Sequence, residues 1–178
     1  RAGLSWGAVS ATGGRVGLTR EVDGFGLYGY LGLYQYDGQN VADNEKTEFG
    51  FGAYYKAINE EDERFTVGLG LNTFGFSENL SYYSFGHGGY FSPQNFFSIA
   101  IPVNWAHRGP DWSYQVNGSL GMQHIEQDGA PYFPRDARLQ AAFDQASQIL
   151  AQDGTDFRTR YSSQNKSGIG YSLGASGE

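Results

Sequence analysis

The sequence contains no cysteine, and it carries only 12 Lys and Arg against 19 Asp and Glu in 178 residues. Without cysteine the chain has no disulfide framework, no thiolate metal ligand and no cysteine nucleophile. The net charge of −7 argues against nucleic acid as a partner, because neutralising phosphates takes clustered Lys and Arg. No apolar run approaches the roughly 18 residues that a membrane-spanning helix needs. The sequence is therefore not that of a helical membrane protein, a disulfide scaffold or a nucleic-acid binder.

Glycine and aromatic residues are abundant instead. The chain has 27 Gly, 13 Tyr, 13 Phe and 3 Trp, and this glycine share is about twice the usual value of roughly 7%. Flexible linkers and disordered segments contain far fewer aromatic side chains. The composition therefore indicates an ordered chain with closely packed backbone.

Hydrophobic residues recur with a period of two, which is the period of a β-strand. In residues 25–36 one parity is mostly aliphatic, and the other consists of glycine and tyrosine. The same separation returns along the chain, so we predict about eight strands of near ten residues each. These are residues 4–11, 15–20, 25–36, 47–58, 64–72, 95–105, 112–124 and 169–175.

The predicted connections alternate in length. Short turns are expected at residues 21–24, 59–63 and 107–111, and long loops at residues 37–45, 77–93 and 127–166. This alternation is typical of antiparallel transmembrane β-barrels, which have short periplasmic turns and long outer loops. Trp105 and Trp112 flank one short turn, where an interfacial aromatic girdle would place them.

The fold prediction is therefore an all-β, antiparallel transmembrane β-barrel in contact with the lipids of a bacterial outer membrane. The alternative is a soluble barrel or sandwich whose aliphatic face is its core. In that case the second face would be exposed and charged, whereas here it contains mainly Gly, Ser, Tyr and Asn. A lumen suits such a face better than bulk solvent.

One segment departs from the period of two. From residue 135 to residue 151 apolar side chains recur every three or four residues, with Pro134 before them and Gly154 after them. This pattern predicts an amphipathic helix inside the longest loop. Such a helix would either pack over the mouth of the barrel or enter the lumen as a plug.

Tyrosine and amide side chains share the second face of the strands. Neutral sugar polymers are contacted by aromatic rings on their C–H faces and by amides or hydroxyls on their hydroxyl groups. This face is therefore predicted to line a path for polysaccharide, with a generic porin or a structural or adhesive barrel as alternatives. The predicted lumen residues are Tyr28, Tyr30, Tyr34, Tyr36, Tyr54, Asn72, Asn104, Gln115, Asn117 and Gln123.

The sequence predicts neither a metal site nor a cofactor. The three histidines have no metal-ligand spacing, and the polar residues of the 37–45 loop, Asn44 among them, are expected to be solvated. His87 shares a loop with Ser81, Ser84 and Ser92, which leaves a small outer-membrane acyl hydrolase or acyltransferase as an alternative. No serine lies in a nucleophile elbow, so we predict no enzymatic activity.

The most specific segment is residues 85–94, Phe-Gly-His-Gly-Gly-Tyr-Phe-Ser-Pro-Gln. Together with residues 38–44 and 167–173 it resembles the C-terminal barrel of the cellulose synthase operon protein C family. The loop itself is predicted to be an ordered structural element rather than a catalytic one, with glycines that permit positive φ and a proline that ends it. Its motif residues are Gly86, His87, Gly88, Gly89, Tyr90, Phe91, Ser92, Pro93 and Gln94.

The resemblance implies an outer-membrane exporter of bacterial cellulose. Members of this family place a periplasmic array of tetratricopeptide repeats before a barrel of about sixteen strands, and they work with a synthase complex. Residues 1–178 are therefore expected to be part of such a barrel within a longer protein. An eight-stranded barrel has an interior just filled by side chains, so export is expected of the intact protein only.

Overall fold

The computed structural model describes residues 5–152 and 157–178. In these ranges seven antiparallel strands form one sheet, and each strand pairs with the next along the chain. The first and last strands do not pair with each other within the described residues, so the sheet is open. The strands are β1 Gly7–Val22, β2 Phe25–Gln39, β3 Asn44–Asn59, β4 Glu63–Phe76, β5 Asn95–Arg108, β6 Ser113–Gln127 and β7 Gln164–Gly177. Among the described helical residues, none forms a helix long and apolar enough to cross a membrane.

The all-β antiparallel prediction is confirmed, but the prediction of eight strands is wrong for the described residues. The sequence suggested separate strands at residues 4–11 and 15–20, and the structure has the single strand β1 (residue 4 lies outside the described residues). Gly13 interrupts the alternation, yet it sits within the strand opposite Tyr34. A Cβ added at Gly13 would overlap the Leu33 carbonyl oxygen and the Tyr34 backbone. This glycine lets the two strands approach closely and does not mark a turn.

The strands are also longer than predicted, which changes the first outer loop. The loop expected at 37–45 shrinks to residues 40–43, because the ladder between β2 and β3 continues to the pair Tyr36 and Asn44. Polar side chains do not prevent strand pairing when the backbone groups remain matched. The other two outer connections, residues 77–94 and 128–163, are long as expected.

The short turns lie at the opposite end of the sheet. Asp23 and Gly24 both have positive φ, 50° and 79°, and they form the two-residue turn typical of a tight hairpin. The other two turns are residues 60–62 and 109–112. Near the last turn, Trp105 and Trp112 both pack against Tyr114, with ring centroids 5.3 and 5.7 Å apart.

The strand register keeps the two predicted faces of the sheet separate. Residues that pair across neighbouring strands point to the same side of the sheet. Leu31, Phe49 and Thr73 form one such row. We call one side the aliphatic face, and all its defining side chains are at least 36% exposed. Nothing in the described part of the chain covers them. They are Leu27, Leu31, Leu33, Phe49, Phe51, Ile99, Ile101 and Val103.

The other side, the tyrosine–glycine face, carries all ten residues predicted to line a lumen. In β2 these are even positions such as Tyr28 and Tyr30, and the register places them beside Gly52 and Gly50 of β3. In β6 the same face carries odd positions, because Asn104 of β5 pairs with Asn117.

The predicted helix is present as α1, Ala137–Gln152, two residues later than expected at its start. Asp136 caps it, since its carboxylate accepts a hydrogen bond from the Leu139 amide at 2.9 Å. The predicted terminator Gly154 lies outside the described residues. Phe143 packs against other rings of the same loop, including Phe133 at 5.4 Å. Within the described residues the backbone of α1 does not come close to any of the strands, so the helix packs within its own loop.

Candidate functional site

The tyrosines of the tyrosine–glycine face lie on glycines of the adjacent strand. A Cβ added at Gly50 would overlap the ring of Tyr30, and one added at Gly26 would overlap the ring of Tyr54. Glycine in a strand permits such close approach of a neighbouring group. The rings are thus fixed against the sheet. The same relation holds for Tyr28 with Gly52.

A charged cluster covers some of these rings. Glu48, only 5% exposed, accepts hydrogen bonds from Arg15 Nε at 2.7 Å and from Lys46 Nζ at 2.6 Å. The Arg15 guanidinium lies 4.3 Å from the centroid of the Tyr30 ring, and Lys46 Nζ lies 5.3 Å from that of Tyr34. These cations take up ring faces by cation–π contact.

Tyr30 is also tied down by its hydroxyl, which donates to Asn72 Oδ1 at 2.8 Å. Tyr36 is covered in another way, because Tyr90 of the 77–94 loop stacks on it with centroids 5.3 Å apart and planes at 18°. Three of the five predicted tyrosines therefore already have cationic or aromatic partners. Sequence reasoning missed these contacts, because the partners lie on other strands or in a loop.

Tyr28 and Tyr54 line an open groove instead. The groove has a volume of about 350 Å³, and Asn104 and Asn117 lie across it from the tyrosines. This places two aromatic rings and two amides around one space on the tyrosine–glycine face. The other residues that line the groove are Ala53, Thr66, Gly68, Pro102, Val103, Gly118, Ser119 and Ser172.

The remaining predicted residues lie away from this groove. Gln115 borders a second cavity of about 520 Å³ at the short-turn end, with Arg64 and four consecutive acidic residues, 60–63. Gln123 pairs with Ser98 of β5, nearer the long loops. The ten predicted residues thus share one face but do not form a single pocket.

The loop motif is ordered by its own backbone and by buried polar groups. Gly86 and Gly89 have φ values of 97° and 68°, which glycine adopts without steric cost. The Leu80 carbonyl accepts hydrogen bonds from the Gly88 and Gly89 amides at 3.1 and 3.0 Å. Ser92 is fully buried, and its hydroxyl accepts from the Leu80 amide at 2.8 Å. These contacts give the motif a structural role.

His87 joins two of the long loops, residues 77–94 and 128–163. Its ring is fully buried, its Nε2 lies 2.8 Å from the Pro131 carbonyl oxygen, and its Nδ1 has no partner among the described residues. The rings of Tyr82 and Tyr161 meet it edge-on at 5.5 and 5.6 Å. Burial lowers the pKa of His87, which favours the neutral imidazole.

This geometry leaves His87 without a serine partner in the described part of the chain. Ser81 and Ser92 are hydrogen-bonded to each other at 3.2 Å, and Ser84 accepts from the Tyr161 hydroxyl. A serine nucleophile needs a base within hydrogen-bond reach. Within residues 5–152 and 157–178, no three His, Asp or Glu side chains are placed to hold a metal ion.

Asn44 contradicts the expectation that the 37–45 loop is solvated. It is 2% exposed, and its Oδ1 accepts hydrogen bonds from the Glu45 amide, the Ser77 hydroxyl and the Glu78 amide at 2.9 to 3.1 Å. Its Nδ2 donates to the Glu78 carbonyl at 2.8 Å and to the Tyr90 hydroxyl at 2.9 Å. Asn44 therefore connects the start of β3 with both ends of the 77–94 loop.

Comparison with known proteins gives consistent matches. All of residues 1–178 match the family described as Cellulose synthase operon protein C C-terminus. The cellulose synthase operon protein C of Pseudomonas fluorescens is 42% identical over 99% of this chain and 13% of that protein. The proteins of the same name from Xanthomonas axonopodis pv. citri and Salmonella typhimurium are 37% and 40% identical, over 100% and 74% of this chain. The matched region spans 12% and 11% of those two proteins, so the chain is a small part of the length of its relatives.

Proposed function

The chain belongs to the cellulose synthase operon protein C family, as part of its C-terminal region, and on that premise we propose that it is a section of an outer-membrane pore that exports cellulose. In this proposal the aliphatic face borders lipid and the tyrosine–glycine face borders the lumen of a larger barrel of about sixteen strands. The seven strands described here supply part of the wall. Synthesis and energy come from the synthase complex, and a periplasmic repeat scaffold belongs to the intact protein.

The groove at Tyr28 and Tyr54 carries the proposal. It combines aromatic rings with amides and hydroxyls, which are the groups that contact the C–H faces and hydroxyls of a neutral sugar. Among the described residues no Asp, Glu, Lys or Arg lines it, and the one carboxylate that contacts a groove tyrosine is Glu21, which accepts a hydrogen bond from the Tyr54 hydroxyl at 2.7 Å. The grouping of aromatic rings with amides and hydroxyls at one place favours a sugar path over a generic porin.

The pore is proposed to be non-enzymatic. The alternative of an acyl hydrolase or acyltransferase depended on His87 activating a serine in its loop, and His87 binds the Pro131 carbonyl instead. Acyl transfer by the purified full-length protein would favour that alternative, and a structural or adhesive role would be favoured by normal cellulose export without this domain.

Replacing Tyr28 and Tyr54 together with Ala in the full-length protein is expected to lower cellulose secretion at unchanged barrel abundance. Stacking contributes about 0.5 to 1.5 kcal/mol per ring by analogy with aromatic pairs, so each ring lost should weaken sugar contact roughly two- to tenfold. Secreted cellulose is measured relative to the amount of folded protein in the outer membrane.

The matched control replaces Tyr55 and Tyr171 with Ala. Both are tyrosines of strands, but they lie on the aliphatic face and are 51% and 86% exposed. This control should secrete normally for its barrel level. If the Tyr28 and Tyr54 variant did so too, the groove would not be part of the path.

A further inference from the structure

A second group of rings lies on the tyrosine–glycine face at the long-loop end. Phe74 of β4 stacks on Phe96 of β5 with centroids 4.5 Å apart and planes at 19°. Phe91 of the loop motif meets Phe74 edge-on at 6.3 Å, and Lys46 Nζ lies 4.9 Å from the centroid of Phe74. Phe74 is thus held between neighbours, and it supports the other two rings.

Phe91 is presented by a loop that is otherwise tightly packed. The two residues that follow it, Ser92 and Pro93, are fully buried, whereas the Phe91 ring remains 50% exposed. The loop therefore fixes the position of this ring without burying it. A fixed, half-exposed phenyl ring has the flat apolar surface that the C–H face of a pyranose contacts.

Hydrogen-bonding side chains accompany these rings, as they do in the groove. Asn72 precedes Phe74 by two residues and therefore shares its face. The register places Ser98 of β5 beside Asn72, and Gln123 of β6 beside Ser98. The ring group thus adjoins a row of amide and hydroxyl groups.

The ring group and the groove lie along the same strands. Gly68 lines the groove, and Phe74 is six residues further along β4, which at about 3.4 Å per residue is roughly 20 Å. A polymer of several sugar units that lies along the strands would touch both places, whereas a disaccharide would touch only one.

We propose that Phe91 and Phe96, supported by Phe74, form a second contact site for the same glucan chain at the long-loop end of the path. This inference rests on the proposed export function and adds a second place where the polymer is held. The loop motif then has a binding role as well as a structural one, because it carries Phe91 onto the wall.

The test compares binding of cellobiose and cellohexaose to the full-length protein in detergent. Phe91→Ala is expected to weaken cellohexaose binding about two- to tenfold and to leave cellobiose binding at the groove unchanged, since only the longer chain reaches both sites. Phe91→Trp should restore cellohexaose binding. Phe85→Ala is the matched control, because Phe85 is a phenylalanine of the same motif with 42% exposure.

The outcomes separate the two proposals. Unchanged cellohexaose binding by Phe91→Ala, with binding still lost on replacing Tyr28 and Tyr54, overturns the second site and leaves the groove in place. If wild-type protein binds neither sugar, the proposed function fails and the second site with it. Where Phe91→Ala does not fold, Phe91→Leu replaces it, because leucine keeps the apolar contact with Phe74 but offers no ring.

Discussion

If the aliphatic face borders lipid as proposed, replacing Leu31 with Arg should destabilise the full-length barrel by about 2 to 4 kcal/mol, the cost of a cation near the bilayer midplane. Leu31 is one of the odd positions of β2 between Phe25 and Leu33 that lie on the aliphatic face, and it is 45% exposed on the sheet. The side chain of Arg would have no water or anion to meet there. The free energy is measured from the urea dependence of folding into lipid vesicles.

Ser98→Arg is the matched control for this change. Ser98 lies on the tyrosine–glycine face, and its distance from the ends of the strands is similar to that of Leu31, since it is one residue from the row of paired residues that contains Leu31. An Arg at Ser98 would enter the proposed aqueous lumen and should change the free energy of folding little. Tyr30 would be a poorer control, because its substitution also breaks the bond to Asn72. Equal costs at Leu31 and Ser98 would contradict the assignment of one face to lipid and the other to a lumen.

Replacing Asn44 with Ala should destabilise the 77–94 loop by about 1 to 3 kcal/mol. The substitution removes the Asn44 Oδ1, which accepts three hydrogen bonds, and the Asn44 Nδ2, which donates two. Leaving a buried polar group unsatisfied costs about 1 to 3 kcal/mol, although water can reach the partners at exposed positions. Faster amide hydrogen exchange at Gly88 and Gly89 in the full-length protein would report this loss.

Asn95→Ala serves as the control for Asn44. Asn95 is exposed and makes a single long hydrogen bond, at 3.5 Å, to Glu126, so its removal should leave exchange in the loop unchanged. If the Asn44 variant exchanged at the wild-type rate as well, the loop would be held by its other contacts and not by this side chain.

The period-two pattern was sufficient to predict the strands and the separation of their faces, because alternation is a local property of each strand. The same reasoning failed at Gly13, because the alternation is weak there and suggested two strands at residues 4–11 and 15–20 in place of β1. Sequence spacing does not reveal that a glycine lies close to the backbone of the next strand, since Gly13 and Tyr34 are brought together only by the register.

The contacts that define the site are mostly long-range, and this is why the sequence did not predict them. Asn44 meets Tyr90 across 46 positions, and Arg15 meets Glu48 across 33. Phe74 lay beyond the predicted end of its strand at residue 72, so its face could not be assigned. The residue types on each face of the sheet were predictable from the alternation. Which tyrosine rings are covered and which line the groove depends on neighbours from other strands, and the alternation does not reveal it.

The most direct test of the proposed path uses single cysteines, which the chain itself lacks. Ser119 lines the groove, while its neighbour Leu120 lies on the opposite face and is 59% exposed. Full-length Ser119→Cys and Leu120→Cys proteins are treated in cells with a membrane-impermeant thiol reagent, with cellulose synthesis switched on or off. We predict that Ser119→Cys reacts when synthesis is off and is protected when polymer is in transit, and that Leu120→Cys does not react in either state. Equal labelling of Ser119→Cys with synthesis on and off would contradict a glucan path along this face.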